Sequence, residues 1–458
     1  MRKITLGIIL ICALIIMIGC TKTRNTITFL TNRTDLRNTI LKDATNEFEK
    51  LYKDKGWKVR VETITDYENV VSTRISGRNY GDVLLIPQTV ENKDLNKYFE
   101  VLGTTEQMTE DGWKGIHAKA YQGDVYGLPI ALQSSGILIN LDIFNKANVH
   151  VAELTTPELF LSAMGKINNY GKENISDFKA AFYTHTATGW GLSQWAAGIT
   201  TAAGDADYMN LILPWDKQAF YNNELEKPGT IGKMYALLYD LITNDLVESS
   251  PTTDAWEESK IWFAQGKIGA MAVGSWAIVQ FEEAAEMYQT GKSEDIGYMP
   301  YPFENEDGEL YVSISADYTI GVAKNSKNKE LAETFARFFV ETYNFAEKTG
   351  NIPPKADANY PAKIQAFRDS GAILVEETPA PFEYEGALSL AEKNAASSVT
   401  DEKRIAIWDS VWIMDFATTA FDVRDNRSQA TVESLLEAIQ QKWNNGVEEV
   451  EKTFGSKP

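Results

Sequence analysis

Tryptophan and polar side chains in this sequence follow segments that are predicted to be β-strands. Trp276 comes after the apolar run 268–273 and the pair Gly274-Ser275, where Ser275 is suited to cap the next helix. A tryptophan ring at this position can cover the apolar face of a sugar ring, while amide, carboxylate and guanidinium groups pair with its hydroxyls. Position alone leaves a second interpretation equally open, in which Trp276 packs into the core.

Polar residues follow two other predicted strands. Asn32, Arg33 and Asp35 come after the first strand, and Gln88 comes after the third. Open α/β sheets bind ligands at the carboxyl ends of their strands, so we predict that these four residues contact a ligand. For Asp35 the alternative is a solvated carboxylate at the start of a helix.

Two further tryptophans are candidates. Trp190 lies between two glycines, which indicates a break in a helical region. Trp412 shares a helical stripe with Trp408 and Phe416, so a core position is the stronger interpretation for it. The sequence does not show which of Trp408 and Trp412 faces a ligand.

These residues need a sheet to position them, and the chain begins with the alternation that builds one. Apolar periodicity predicts strands over 26–30, 58–64 and 82–86, separated by helices over 36–53 and 67–75. The order β-α-β-α-β is typical of a parallel sheet covered on both faces, with right-handed crossovers. The fold class predicted is therefore α/β.

The middle of the chain alternates less. A strand is predicted over 136–140, and Thr156-Pro157 has the composition of a helix start, with a hydroxyl cap and proline at the first position. From there the pattern is mostly helical to about residue 265.

The remaining strands lie near residue 300. Asp307-Gly308 is a strong hairpin signal, and we expect it to join strands within 296–303 and 310–314. A further strand is predicted over 319–322. The last hundred residues read as helices.

The N-terminus has the features of a secretory signal. Met1-Arg2-Lys3 is basic, and the following apolar stretch of about 15 residues is too short for a ~30 Å hydrocarbon core. Gly19-Cys20 resembles the bacterial lipoprotein cleavage site. We therefore expect residues 1–19 to be removed, Cys20 to be lipidated and 20–25 to form a tether; a short uncut anchor is the alternative.

Charge and motifs exclude several classes of protein. There are 44 Lys and Arg against 64 Asp and Glu, a formal charge of −20, which argues against nucleic acid binding. The sequence has no phosphate-binding loop, no nucleophile elbow and no metal-ligand spacing among its three histidines. No cofactor, no metal and no catalytic residue is expected.

The run 262–276 (WFAQGKIGAMAVGSW) resembles the most diagnostic stretch of the family-1 extracellular solute-binding proteins, the maltose-binding-protein-like sugar receptors of bacterial ABC importers. Shorter stretches agree with that family in the same order along the chain: 81–83, 126–129, 139–144, 321–332 and 350–353.

The resemblance implies a two-lobe periplasmic-binding-protein fold with a ligand cleft between the lobes. The N-terminal lobe would comprise residues 26–135 and 298–341, and the C-terminal lobe 136–297 and 342–458. The chain would cross near 134–136, 297–300 and 341–349.

The resemblance also assigns site residues. Trp276 matches the aromatic residue that stacks on sugar in the family, and Trp190 and Trp412 lie near other aromatic positions. Gln133 and Ser134 stand where some members carry an acid, so maltose specificity does not carry over. The predicted ligand-binding set is Asn32, Arg33, Asp35, Gln88, Gln133, Ser134, Trp190, Trp276, Asp317, Tyr318 and Trp412.

The function implied is capture of a sugar or oligosaccharide for an ABC permease whose ATPase is another chain. The protein would be a monomer, anchored by lipid on the extracellular face of the cytoplasmic membrane or in the periplasm. Two alternatives remain open at this point. One is a secreted carbohydrate-active enzyme, and the other is the same fold with a peptide or polyamine as ligand.

Overall fold

The structure is a computed structural model of the chain. It describes residues 25–188, 190–250, 252–253, 255–288, 292–355, 360–369, 371–395 and 411–458, without the side chains of Thr188, Asp369, Val411 and Trp412.

Strands and helices alternate through most of the described chain. The strands are β1 Thr26–Thr31, β2 Lys58–Thr63, β3 Val83–Leu85, β4 Gly103–Thr104, β5 Ala120–Tyr121, β6 Asp124–Val125, β7 Gly127–Pro129, β8 Leu132–Asn140, β9 Ala180–Phe182, β10 Tyr221–Asn222, β11 Lys227–Pro228, β12 Ile268–Gly274, β13 Ile296–Met299, β14 Tyr311–Ala316, β15 Thr319–Val322 and β16 Ile373–Val375. The α-helices are α1 Ile40–Leu51, α2 Tyr67–Ser76, α3 Leu95–Tyr98, α4 Thr105–Glu110, α5 Leu141–Lys146, α6 Pro157–Asn174, α7 Trp190–Ala196, α8 Ile199–Ala203, α9 Thr230–Thr243, α10 Trp256–Ala264, α11 Ile278–Tyr288, α12 Lys329–Arg337, α13 Phe345–Lys348, α14 Ala362–Asp369, α15 Ala387–Ala395, α16 Val411–Arg424 and α17 Val432–Phe454.

The chain divides into two compact units. Unit 1 comprises residues up to Glu110, Lys119–Ile130 and Tyr318–Phe345, and unit 2 comprises Asp111–Ala118, Ala131–Asp317 and Ala346–Pro458. These bounds differ from the predicted lobes at four places. Residues 111–118, 131–135 and 298–317 lie in unit 2, and residues 342–345 lie in unit 1. Residues 132–134 and 314–316 change sides because β14 pairs with the first residues of β8 and so belongs to the same sheet.

Unit 1 is built on a five-stranded sheet of order β2-β1-β3-β15-β7. Strands β1, β2 and β3 are parallel, as the β-α-β-α-β pattern predicts, and β15 is antiparallel to both β3 and β7. Helix α1 begins at Ile40, four residues later than predicted, because residues 33–39 form successive turns.

Aromatic rings fill the core of unit 1. Phe29 of β1 packs edge-on against Phe335 and Phe339, with ring centroids 5.5 and 5.4 Å apart. Tyr67, the first residue of α2, donates hydrogen bonds from its hydroxyl to the carbonyls of Leu30 (3.1 Å) and Leu85 (2.6 Å). These bonds fix the start of α2 beside the carboxyl ends of β1 and β3.

Unit 2 contains a mixed sheet of order β16-β14-β8-β12-β9, with β13 also paired to β8. Strand β8 runs antiparallel to β12 and begins at Leu132, four residues earlier than predicted. Strand β9 lies in the region predicted to be helical and pairs in parallel with β12. Three residues are too few to show a strand periodicity, which is why the sequence pattern misses it.

The predicted hairpin at Asp307-Gly308 is wrong. The turn itself forms, since the Gly308 N–H donates to the Asn305 carbonyl and Gly308 has φ 75°. However, β13 pairs with residues 137–140 of β8 and β14 pairs with residues 132–134 of the same strand. Strands β13 and β14 therefore lie one after the other along β8. Each pairs with this long buried strand, and they do not form a hairpin with each other.

The helices of unit 2 follow the predicted signals. Thr156 caps α6, and its hydroxyl accepts a hydrogen bond from the Leu159 N–H, with Pro157 at the first helical position. In the C-terminal region Phe416 of α16 packs on Tyr235 of α9, with ring centroids 4.9 Å apart. This contact buries Phe416, the one residue of the predicted aromatic stripe whose side chain lies within the described residues.

Candidate functional site

Three tryptophans of unit 2, Trp190, Trp256 and Trp276, meet in one group that we call the tryptophan cluster. The ring centroids of Trp190 and Trp256 are 4.8 Å apart, those of Trp256 and Trp276 5.9 Å, and those of Trp190 and Trp276 6.1 Å. The planes are inclined by 45° to 79°, and each residue remains partly exposed. The cluster therefore presents an apolar, aromatic surface of the kind that covers a sugar C–H face.

Trp276 is positioned by the end of β12. Ser275 does not cap a helix through its side chain, contrary to the prediction; its hydroxyl oxygen accepts a hydrogen bond from the Ser134 N–H at 3.0 Å. This bond ties the turn that carries Trp276 to strand β8. The N–H of Gly274 donates to Gln194 Oε1 at 3.0 Å, which attaches the same turn to α7.

Trp190 and Trp256 are each the first residue of a helix, α7 and α10 respectively. In both helices a serine three residues later donates from its hydroxyl to the tryptophan carbonyl: Ser193 at 2.7 Å and Ser259 at 2.8 Å. The two tryptophans therefore occupy the same position in their helices, and their indoles are in contact.

A buried histidine joins the cluster. The His185 ring lies 4.8 Å from that of Trp190 and 5.7 Å from that of Trp256, and His185 has φ 52°, a left-handed backbone conformation. Glu248 holds the neighbouring residue, since it accepts hydrogen bonds from the Thr184 N–H (2.8 Å) and hydroxyl (2.6 Å). Burial raises the pKa of Glu248, against the lowering effect of these hydrogen bonds.

The side-chain oxygen of Gln133 lies beside the tryptophan cluster and is a hydrogen-bond acceptor. Its Oε1 is buried and has no hydrogen-bond partner among the described residues. A Cβ on Gly274 would lie 2.9 Å from this oxygen and 2.6 Å from the Trp276 ring, so the amide and the indole are neighbours. Ser134 is fully buried in β8, and its hydroxyl oxygen also lacks a partner within the described chain.

In unit 1 the residues after β1 form a polar group. The Arg33 guanidinium donates to both carboxylate oxygens of Asp35, at 3.3 and 3.1 Å, and lies 5.8 Å from the Phe345 ring centroid. Asn32 Oδ1 is buried, and no described residue donates to it. Both Arg33 and Asp35 thus have local partners, and Asn32 presents the unmet acceptor.

Two other predicted residues of unit 1 lie at strand ends. Gln88 is exposed after β3. Tyr318 precedes β15 and donates from its hydroxyl to Glu68 Oε1 at 2.7 Å. The other oxygen of Glu68 is buried, and the described residues provide no partner for it.

A buried lysine lies close to this pair. Lys119 is 6 % exposed, and its Nζ donates to the Val90 carbonyl at 2.8 Å. Burial lowers the pKa of Lys119 to about 8, while the negative charge of Glu68 raises it.

The other predicted residues are less informative. Asp317 is partly exposed, and its N–H donates to the Ala131 carbonyl. The backbone of Trp412 lies in α16, but its side chain, like Trp408 and Cys20, lies outside the described residues.

Sequence reasoning missed Trp256, His185, Gln194, Glu68 and Lys119. Glu68 could have been predicted, because it lies in the first turn of the helix after the second strand. The strand-end rule is applied above to the first strand, the third strand and the run 268–273, but not to the second strand. Trp256 and His185 are near the cluster only because α10 and the segment after β9 converge in three dimensions.

Two absences apply to the described residues alone. Within them, no group of three or more His, Cys, Asp or Glu side chains could hold a metal ion. No described helix combines the length and the apolar character needed to cross a membrane.

Comparison with known proteins relates the chain to binding proteins. Residues 43–369 match the family described as bacterial extracellular solute-binding protein. A curated binding protein from Brucella abortus (strain 2308) is 25% identical over 236 residues, and another from Brucella suis biovar 1 matches equally. The chain spans about half the length of these curated relatives, 51%.

Solved structures resemble nearly the whole chain. The manno-oligosaccharide-specific solute-binding protein BlMnBP2 from Bifidobacterium animalis subsp. lactis, in complex with mannotriose, is 29% identical with a TM-score of 0.78. The match covers 92% of this chain and 94% of that one. BlMnBP1 of the same organism, a binding protein of an ABC transporter in complex with mannobiose, is also 29% identical, with a TM-score of 0.79 and the same coverage.

The more distant RafE, in complex with raffinose, is 16% identical with a TM-score of 0.63 over 92% of this chain and 99% of that one, and it shows the shared fold alone. The family match covers more than two thirds of the sequence, and both the family and these neighbours are binding proteins. The predicted α/β fold and the predicted resemblance are confirmed, and the chain belongs to the bacterial extracellular solute-binding proteins.

Proposed function

We propose that this protein captures a sugar or oligosaccharide and delivers it to an ABC import permease, without breaking a bond. The observation that carries the proposal is the tryptophan cluster with the unpartnered Gln133 Oε1 beside it. Aromatic rings suit the apolar face of a pyranose, and an unmet acceptor suits one of its hydroxyls.

The predicted residues would take different roles in binding. In unit 2, Trp190, Trp256 and Trp276 would stack on sugar, and Gln133 would accept from a hydroxyl. Ser134 would act indirectly, by holding Ser275. Other hydroxyl-binding residues would be Asn32, Arg33, Asp35, Gln88, Asp317 and Tyr318, and Trp412 remains a candidate platform.

The saccharides bound by the similar structures support a neutral oligosaccharide as ligand. Mannobiose and mannotriose occupy the two Bifidobacterium proteins, which are similar to this chain over more than nine tenths of its length. We therefore propose short manno-oligosaccharides as the first ligands to test.

Anchoring by lipid at Cys20 completes the proposal. The acylated protein would face the outside of the cytoplasmic membrane, close to the permease. After expression in a bacterium with labelled palmitate, the unchanged protein should incorporate the label and Cys20→Ser should not, because the thiol that would carry the acyl chain is removed. Equal labelling of the two proteins would contradict lipidation at Cys20.

The direct test is titration calorimetry of the purified chain with mannobiose, mannotriose and raffinose, together with chromatography of the sugars after long incubation. We expect stoichiometric binding and unaltered sugars. Hydrolysis or transfer products would replace this proposal with an enzyme, and the absence of binding to any saccharide of a wider panel would reject it.

A further inference from the structure

The carboxylate of Glu68 in unit 1 has one oxygen that accepts a hydrogen bond and one oxygen for which the described chain provides no donor. Its Oε1 accepts a hydrogen bond from the Tyr318 hydroxyl at 2.7 Å, and its Oε2 is shielded from solvent with no partner in the described chain. The preceding residue, Tyr67, is anchored to the Leu30 and Leu85 carbonyls, so the start of α2 is held firmly. The unmet oxygen therefore has a defined position at the strand-end edge of the unit 1 sheet.

The chemistry of this oxygen limits its partner. An ionised carboxylate only accepts hydrogen bonds, so the missing group must be a donor. A buried acceptor without a donor destabilises the folded chain, and a bound donor would remove that cost.

The charges of Lys119 and Glu68 further limit which class of ligand could donate to this oxygen. Lys119 is buried close enough for the charge of Glu68 to influence its titration. A second cation would be repelled by this lysine, which disfavours an ammonium ligand. An anionic ligand would be repelled by Glu68 itself. A hydroxyl of an uncharged ligand satisfies the oxygen without either repulsion.

We propose that Glu68 is a specificity-determining residue, whose Oε2 accepts a hydrogen bond from a hydroxyl of a neutral saccharide and disfavours acidic sugars. This inference rests on the proposed function and adds a selection against uronic acids. Tyr318 acts as a positioning residue, because it fixes the other oxygen of the carboxylate.

The test compares Glu68→Gln with Glu62→Gln, a control of the same chemistry on β2 whose carboxylate pairs with Arg74 at 2.7 Å. In Glu68→Gln the amide oxygen is expected to accept from Tyr318, which leaves an NH₂ donor where Oε2 stood. We expect the affinity for mannobiose to fall about tenfold or more, the scale of a charge-assisted hydrogen bond, while Glu62→Gln binds as the unchanged protein does.

Two further readouts separate specificity from structure. The melting temperature of ligand-free Glu68→Gln should equal or exceed that of the unchanged protein, because an unmet charge is removed. The ratio of affinities for mannobiose and a uronic acid disaccharide should fall in Glu68→Gln. A lower melting temperature with equal losses for both sugars would make the role structural and overturn the inference.

The failure of this inference can be distinguished from the failure of the proposed function. If Trp276→Ala weakens mannobiose binding and Glu68→Gln does not, the role of Glu68 is overturned and sugar binding stands. If the unchanged protein binds no saccharide, both are overturned.

Discussion

Gly274 and Trp276 are adjacent in such a way that the glycine has no room for a side chain. A Cβ at Gly274 would lie 2.6 Å from Cδ1 and Nε1 of the Trp276 indole, closer than real Cβ contacts allow. The ring of Trp276 therefore lies directly over the backbone at the end of β12, and its position depends on this glycine.

Gly274→Ala should displace the Trp276 ring. We expect weaker sugar binding by about 1–3 kcal/mol, similar to removal of the ring, because the stacking surface is moved. Calorimetry measures the affinity, and intrinsic tryptophan fluorescence reports the change in the cluster. An unchanged spectrum with unchanged affinity would show that the turn accommodates the methyl group and would contradict the prediction.

Trp276→Ala tests stacking directly. We expect a loss of about 1–3 kcal/mol in binding free energy, the scale of an aromatic contact, with the fold retained. Trp215→Ala is a matched control in unit 2, because its indole bonds to the Gly455 carbonyl and lies outside the cluster. Equal affinities for the two variants, with both proteins folded, would remove Trp276 from the binding surface.

Lys119 should make stability rise with pH. Burial lowers its pKa from 10.5 to about 8, so between these values the unfolded chain binds more protons than the folded chain. Relative to Lys119→Met, the unchanged protein should therefore gain stability from pH 8 to pH 10, on the order of 1–3 kcal/mol. Urea denaturation of both proteins at several pH values measures this difference. Parallel pH profiles would indicate that Lys119 titrates normally.

Gly446 is required for close helix packing in unit 2. A Cβ at Gly446 of α17 would lie 2.1 Å from the Ala391 carbonyl oxygen of α15, whereas a Cβ at Gly165 of α6 would meet nothing within 4 Å. Gly446→Ala should destabilise the protein by about 1–3 kcal/mol through overpacking. Gly165→Ala, the control within another helix, should stabilise it by about 0.5–1 kcal/mol. Both values come from chemical denaturation, and a stabilising Gly446→Ala would show that the helices separate at little cost.

Local sequence signals predicted the elements whose evidence is local. The alternation from Thr26 onward gave the three parallel strands of unit 1, since period-2 and period-3.6 patterns are properties of neighbouring residues. The helix start at Thr156-Pro157 followed for the same reason, because a capping hydroxyl acts within three residues. The position of Trp276 just after a strand was likewise predicted from the sequence.

Pairing between segments that are distant in the chain could not be predicted from local sequence patterns. Asp307-Gly308 does form a turn, but the partner of both flanking strands is β8, more than 150 residues earlier in the chain. Ser275 looked like a helix cap, yet its hydroxyl accepts from Ser134 on the neighbouring strand. In the first case pairing with β8 replaces the local hairpin, and in the second a hydrogen bond to β8 replaces the local helix cap.

The sequence by itself determined the family, the α/β order of elements and Trp276 as a candidate for stacking. Tertiary structure alone decided that Trp190, Trp256 and His185 gather around that ring, and that Glu68 and Gln133 each keep a buried oxygen without a partner in the described chain. The physical reason is that periodicity and capping depend on adjacent residues, whereas ring contacts and unmet acceptors depend on which distant segments the core brings together.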